Sequence, residues 1–362
     1  MQKKSMNWIN SFKGLAICGI VLIHSGAANL PSVLGKAGAI GNSGVQIFYL
    51  ISGYLAFLSM DNFVKKEGEE SFKWVRKKIL RLLPLFYIAL IVGCLIGGDS
   101  YWYGCDEKVT IPNIITHFLF LHGFFPRYAN SIIGGEWYLG TLVLFYLVVP
   151  LLHKYLDCLE KVIVFLSGIT IGGTYITKIL LRLVDGMIAE DKYIYASYVG
   201  TFSFFAQFSV FVLGILLYFL FKEINFENIK YKKMISCVML FFSMLMLGGE
   251  IVKSNNLLGI SGVMLFALWY SGMIISQQIY SCGLLKAGGV LPSLGKYSYG
   301  IYLFHFFIIK FYDKYISLNI GNEITTWFVK FIICFCLSYI VSFVLTKCID
   351  EPVNKYLRRK LK

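Results

Sequence analysis

The run Arg76-Lys77-Lys78-Ile79-Leu80-Arg81, followed by LLPLFYIALIVGCLIGG over Leu82 to Gly98, decides how this chain folds. The second part is seventeen residues without one charge, the length at which an α-helix begins to span the hydrocarbon of a bilayer. The first part sets four cations just ahead of it, the mark of a cytoplasmic flank. The apolar block names the solvent and the basic block names the side.

The pattern repeats along the chain. Apolar stretches run approximately over Phe12 to Leu30, Gly44 to Met60, Leu82 to Gly98, Trp137 to Leu152, Val162 to Leu181, Val199 to Phe221, Met234 to Val252, Leu257 to Ile279, Tyr297 to Phe311 and Thr325 to Thr346. They predict an all-α integral membrane protein with about ten transmembrane helices. Composition agrees, since 57% of the 362 residues are hydrophobic, 15% are charged and the mean hydropathy is +0.68, which excludes an ordinary soluble domain. The connections are too short for a separate folded unit, so residues 1–362 read as a single membrane-embedded domain. An even number of spans puts both termini on one side, and the basic residues make that side cytoplasmic. The net charge of +14 then serves topology and does not imply nucleic acid. The first stretch reads as a retained helix, because further spans follow it at once.

The longest outer connection, 99–136, is rich in aromatic and polar groups, among them Tyr101, Trp102, Glu107, Arg127 and Glu136. Its apolar part, Ile111 to Pro126, carries His117 and His122 and is broken by Gly123 and Pro126, so it reads as a re-entrant segment. Aromatic faces beside carboxylates suit a sugar or polar head group, although an interfacial belt has the same composition. The nine cysteines, Cys105 and Cys282 included, are scattered and odd in number, which is not a disulfide framework. No metal site is expected, since His117, His122 and His153 lack companion ligands at metal spacing.

Lys13 and His24 carry the chemistry. Eleven positions apart on one predicted helix, they differ by about 20° in rotation and about 16 Å in height, so they share a face. Lys13 falls at the cytoplasmic interface and His24 near mid-depth, where an ionisable group is a functional candidate and a neutral imidazole can take a proton from a hydroxyl. Lys13 joins Arg76, Lys78 and Arg81 in a basic collar suited to the phosphates of a nucleotide-bearing cofactor. Pro84 suits a first helical turn, which puts Arg81 at the mouth of the third span. Glu136-Trp137-Tyr138 leads into the fourth span from outside, Ser298 to His305 is unusually polar for a span, and Glu351-Pro352 follows the last one. Plain positive-inside charge and interhelical hydrogen bonding could account for each feature singly. A transporter or flippase for a lipid-linked sugar would also need midplane polar groups such as His24 and His305, but the halves show no internal repeat.

The order of these segments resembles the acyltransferase-3 family of membrane O-acyltransferases. The resemblance rests on Lys13 with His24, Gly44-Val45 through Phe48 to Ser52-Gly53, Arg81 with Pro84, Trp137 with Leu139, Ser298-Tyr299 through Tyr302-Leu303 to His305, and Glu351-Pro352. It implies transfer of a short acyl group, commonly acetyl, from cytoplasmic acyl-CoA to a hydroxyl of an envelope glycan, lipid-linked sugar or other lipid-accessible acceptor. It makes His24 the catalytic residue, as general base or acyl relay, and assigns Lys13, Arg76, Lys78 and Arg81 to the cofactor. Glu136, Trp137, Tyr138 and His305 fall to the acceptor. A bacterial cytoplasmic membrane, contact with its lipids, no metal and no nucleic acid follow, and a homo-oligomer is compatible. Leu142 stands where many members carry a Glu, and the chain stops at Lys362, without the hydrolase-like domain that some members append.

Overall fold

The structure is a computed structural model that describes residues 7–68, 70–97, 109–187, 189–252, 261–280 and 289–360. Cys105, Cys282, Tyr101, Trp102 and Glu107 lie outside the described residues. Every regular element among the described residues is helical: α1 (Asn7–His24), α2 (Ser32–Ala39), α3 (Gly44–Glu67), α4 (Ser71–Gly97), α5 (Ile111–Phe118), α6 (Trp137–Tyr155), α7 (Leu159–Asp185), α8 (Ala189–Ser197), α9 (Phe204–Glu223), α10 (Lys232–Val252), α11 (Gly262–Ile279), α12 (Val290–Tyr315), α13 (Glu323–Leu345) and α14 (Glu351–Lys360). Each of the ten apolar stretches has its helix. By length and apolarity seven helical segments can cross a membrane among the described residues, and α1 is apolar but shorter.

Two compact units divide the chain: residues 1–51, 221–258 and 265–346 form one, and 52–220, 259–264 and 347–362 the other. In the first unit, α1 lies backbone to backbone against α12. A side chain on Gly14 would strike the Leu291 carbonyl, and one on Gly295 the Asn10 carbonyl. Such glycine contacts are the usual means of helix association where lipid offers no hydrophobic drive. α12 meets α13 at Gly300, where Ser342 Oγ donates to the Tyr297 carbonyl at 2.7 Å.

The first helix ends six residues before the predicted Leu30. Ser25 Oγ bonds back to the Val21 carbonyl at 2.7 Å, and Gly26 turns the chain at φ 101°, a conformation that a residue with a Cβ avoids. His24 is therefore the last residue of α1 and does not sit in the middle of a longer span.

In the second unit, α4 starts at Ser71 and runs straight through Pro84. Pro84 thus lies in the helix interior, against the expectation of a first-turn proline. The basic run becomes helical because Glu67 neutralises Lys73 and Lys77, at 2.8 and 2.7 Å, and Trp74 packs edge-on against Tyr146. The expected re-entrant segment is an eight-residue helix, α5, capped by Thr110 and followed by Phe120 at φ 56° and a short turn at His122. Eight residues reach about 12 Å, less than half of a hydrocarbon core.

Candidate active site

His24 and His305 stand together in the first unit, their ring centroids 5.4 Å apart, with Phe306 against both at 4.4 and 4.3 Å. His305 is fully buried, and its Nδ1 lies 2.7 Å from the Tyr302 carbonyl. A carbonyl only accepts, so Nδ1 holds the proton and Nε2 of the neutral ring holds the lone pair. Among the described residues that Nε2 is buried without a hydrogen-bond partner. His24 is partly buried, as is Lys13 three turns earlier on the same helix. Two imidazoles walled by a phenyl ring, one with an uncommitted lone pair, can accept and hold a hydroxyl proton.

The second unit holds another buried polar cluster. Glu136 is fully buried, and its carboxylate accepts backbone N–H bonds from Ile132 at 2.6 Å, Ile133 at 3.2 Å and Gly134 at 2.7 Å. His117 Nε2 lies 3.4 Å from the same carboxylate, while its Nδ1 lies 2.8 Å from the Asn113 carbonyl. His122 stacks on His117 at 4.3 Å and donates from Nε2 to the Glu136 carbonyl at 3.0 Å. Burial alone would raise the Glu136 carboxyl, but His117 and the backbone amides outweigh it and hold the group below the ordinary carboxylate range. Replacing Glu136 with Gln puts an amide NH₂ among these donors and is expected to cost about 1–3 kcal/mol. Thermal unfolding in detergent measures this, and an unchanged midpoint would show that the amides need no charge.

His122 lies in this loop, between the membrane-spanning segments. Burial, reinforced by neighbouring His117, pushes it down to about 3 from its ordinary 6.5. Between those values the unfolded chain binds a proton at His122 that the fold does not, so stability rises with pH across this window and falls on acidification. The melting temperature should fall from pH 7 to pH 5, and His122→Gln should flatten that slope. Equal slopes in both proteins would remove His122 as the cause.

The predicted cofactor cations have separate surroundings. Lys78 lies over the rings of Trp74 and Tyr146 at 5.1 and 5.8 Å. Arg76 and Arg81 are exposed on α4. Among the described residues, no group of three or more His, Cys, Asp or Glu could hold a metal ion.

A family model described as an acyltransferase domain, acyltransferase 3, matches residues 6–347. The chain belongs to the acyltransferase-3 family. Among its relatives, a Staphylococcus aureus (strain COL) protein named "Putative O-acetyltransferase" is 23% identical over 97% of this chain and 58% of its own length. O-acetyltransferase OatA of Staphylococcus aureus (strain NCTC 8325 / PS 47) is 21% identical over 96% of this chain and 57% of its own. The chain thus spans less than three-fifths of the length of these curated relatives. No solved structure matches it.

Within this acyltransferase-3 chain, the sequence-selected residues fall into distinct settings. His24 and His305 are neighbours, and Lys13 shares α1 with His24. Glu136, Trp137 and Tyr138 are all buried, with Trp137 against Phe202 at 4.8 Å and the Tyr138 hydroxyl 3.1 Å from Ser52 Oγ. Sequence reasoning passed over three contributors: Phe306, the Tyr302 carbonyl, and the His117–His122 stack on Glu136. Only the last left a trace in the residue types, as two histidines and a carboxylate in one short segment.

Proposed function

We propose that this acyltransferase-3 chain transfers a short acyl group, acetyl in the simplest case, from acyl-CoA to a hydroxyl of an envelope glycan, a lipid-linked sugar or another lipid-accessible acceptor. The observation that carries the reading is the His24–His305 pair, an imidazole beside a buried, unpartnered lone pair, in a chain whose relatives are named O-acetyltransferases.

In this reading His24 is the general base and removes the acceptor hydroxyl proton as the oxygen attacks the thioester carbonyl carbon. The carbon–sulfur bond breaks, and the departing thiolate takes the proton back from the imidazolium. His305, its own proton tied to Tyr302, offers Nε2 to orient the His24 ring or the incoming hydroxyl. Phe306 keeps water off both rings. Lys13, Arg76, Lys78 and Arg81 are assigned to the acidic end of acyl-CoA by their charge and by their place in the family motifs. Trp137 and Tyr138 would back the acceptor side from within, and Glu136 would fix the loop that meets it. The distribution of basic residues supports cytoplasmic termini in this reading, and a bacterial cytoplasmic membrane fits the named relatives.

Radiolabelled acetyl-CoA added to membranes that contain the chain tests this directly. Label should enter a membrane or glycan fraction and be released by mild alkali, as an ester is. Incorporation no greater than in membranes without the chain would reject the donor, and alkali-stable label would reject the hydroxyl acceptor.

A further inference from the structure

We propose that the cleft between α4 and α14 binds phosphate esters and takes the nucleotide end of the acyl carrier; this rests on the acyl-CoA reading above. The cleft has a volume of about 450 Å³ and lies wholly within the second unit. Arg81 comes from α4, while Asn354, Lys355, Arg358 and Arg359 come from α14, with Asp350 and Glu351 at its start. Asn354 ties the two walls, its Nδ2 lying 3.5 Å from the Arg81 carbonyl and 3.0 Å from Asp350 Oδ1.

The charge balance favours an anion. Both Glu351 oxygens sit 2.8 Å from Lys347 Nζ, so that carboxylate is already compensated. One acidic group, Asp350, faces four cations and lies in the field of Arg81 and Arg358. None of Arg81, Lys355, Arg358 and Arg359 makes an ion pair within 4 Å among the described residues, unlike Lys73 and Lys77, which Glu67 holds. Lys355, Arg358 and Arg359 fall at i, i+3 and i+4, so they share one helical face. Three guanidinium forks in one concavity match the paired oxygens of phosphate groups.

Phosphate anions could come from a nucleotide or from an acidic lipid. A volume of about 450 Å³ is that of a small-molecule pocket, and Asn354 and Asp350 add groups able to bond a ribose or a base. A lipid head group needs only an open basic face. Read along the chain, the basic tail serves topology alone, because only the folded chain brings α14 beside Arg81.

Purified protein in discs of zwitterionic lipid should bind both coenzyme A and adenosine 3′,5′-bisphosphate, and pantetheine, which lacks the nucleotide, far more weakly. The double variant Arg358→Gln with Arg359→Gln should weaken binding of the first two by about 10-fold or more. Both side chains are exposed, so the melting temperature of the empty protein should not move, and Arg359→Gln alone serves if it does. Wild-type affinity for both ligands in the variant would overturn the cleft and leave the donor reading standing. Failure of the wild type to bind either ligand would sink both together. A variant that keeps coenzyme A but loses a preference for discs with phosphatidylglycerol would reassign the cleft to lipid.

Discussion

Replacing His24 with alanine is expected to lower acyl transfer by about 10²- to 10⁴-fold, the usual loss when a general base is removed. His24 ends α1 and is only partly buried, and its ring touches Phe306 and His305 with no side-chain hydrogen bond among the described residues. The variant should therefore accumulate in membranes as the wild type does. Transfer of labelled acetyl at equal protein level is the measurement. His305→Ala supplies the contrast, because it removes a fully buried ring that holds the Tyr302 carbonyl and should lower both stability and rate. A wild-type rate in His24→Ala beside an inactive but stable His305→Ala would exchange the two roles.

The second large effect is expected at Gly295, where replacement by Val should destabilise the chain by about 3 kcal/mol or more. The obstacle is the main-chain carbonyl of Asn10, which cannot swing aside as a side chain can. α1 and α12 would have to separate, and with them His24 and His305. Folded yield and melting temperature in detergent report the loss, and normal values for both would mean that the helices do not meet at this glycine. Gly300→Ala is the milder companion, because its new Cβ meets the Ser342 side chain before any backbone.

Apolar run length made the helices legible, since in lipid the backbone must bond to itself and ten long runs leave it little choice. The Lys13–His24 spacing was legible for the same reason, through helical period alone. Helix ends were not. The stop at His24 depends on the φ of Gly26, and the start at Ser71 depends on a carboxylate, Glu67, that precedes the helix. Pro84 misled because a proline at the edge of an apolar run reads as a beginning, whereas α4 carries it in the interior. The Glu136 nest was invisible because its donors are backbone amides, which every non-proline residue has. The cleft beside Arg81 was hidden for another reason: its walls lie some 270 residues apart in sequence.

In the proposed reaction, the glycine seam between α1 and α12 also bears on which acceptors would fit. The helices that carry the two imidazoles touch through main chain at Gly14 and Gly295, on the stretches that precede His24 and His305 in their helices. Those contacts hold the two helix backbones together, so room for a bulkier alcohol has to come from the rotamers of the rings and not from parting of the helices. Acceptor range becomes a matter of how slim and how flexible the hydroxyl-bearing arm is, so primary alcohols on mobile stems should react ahead of hindered ring hydroxyls.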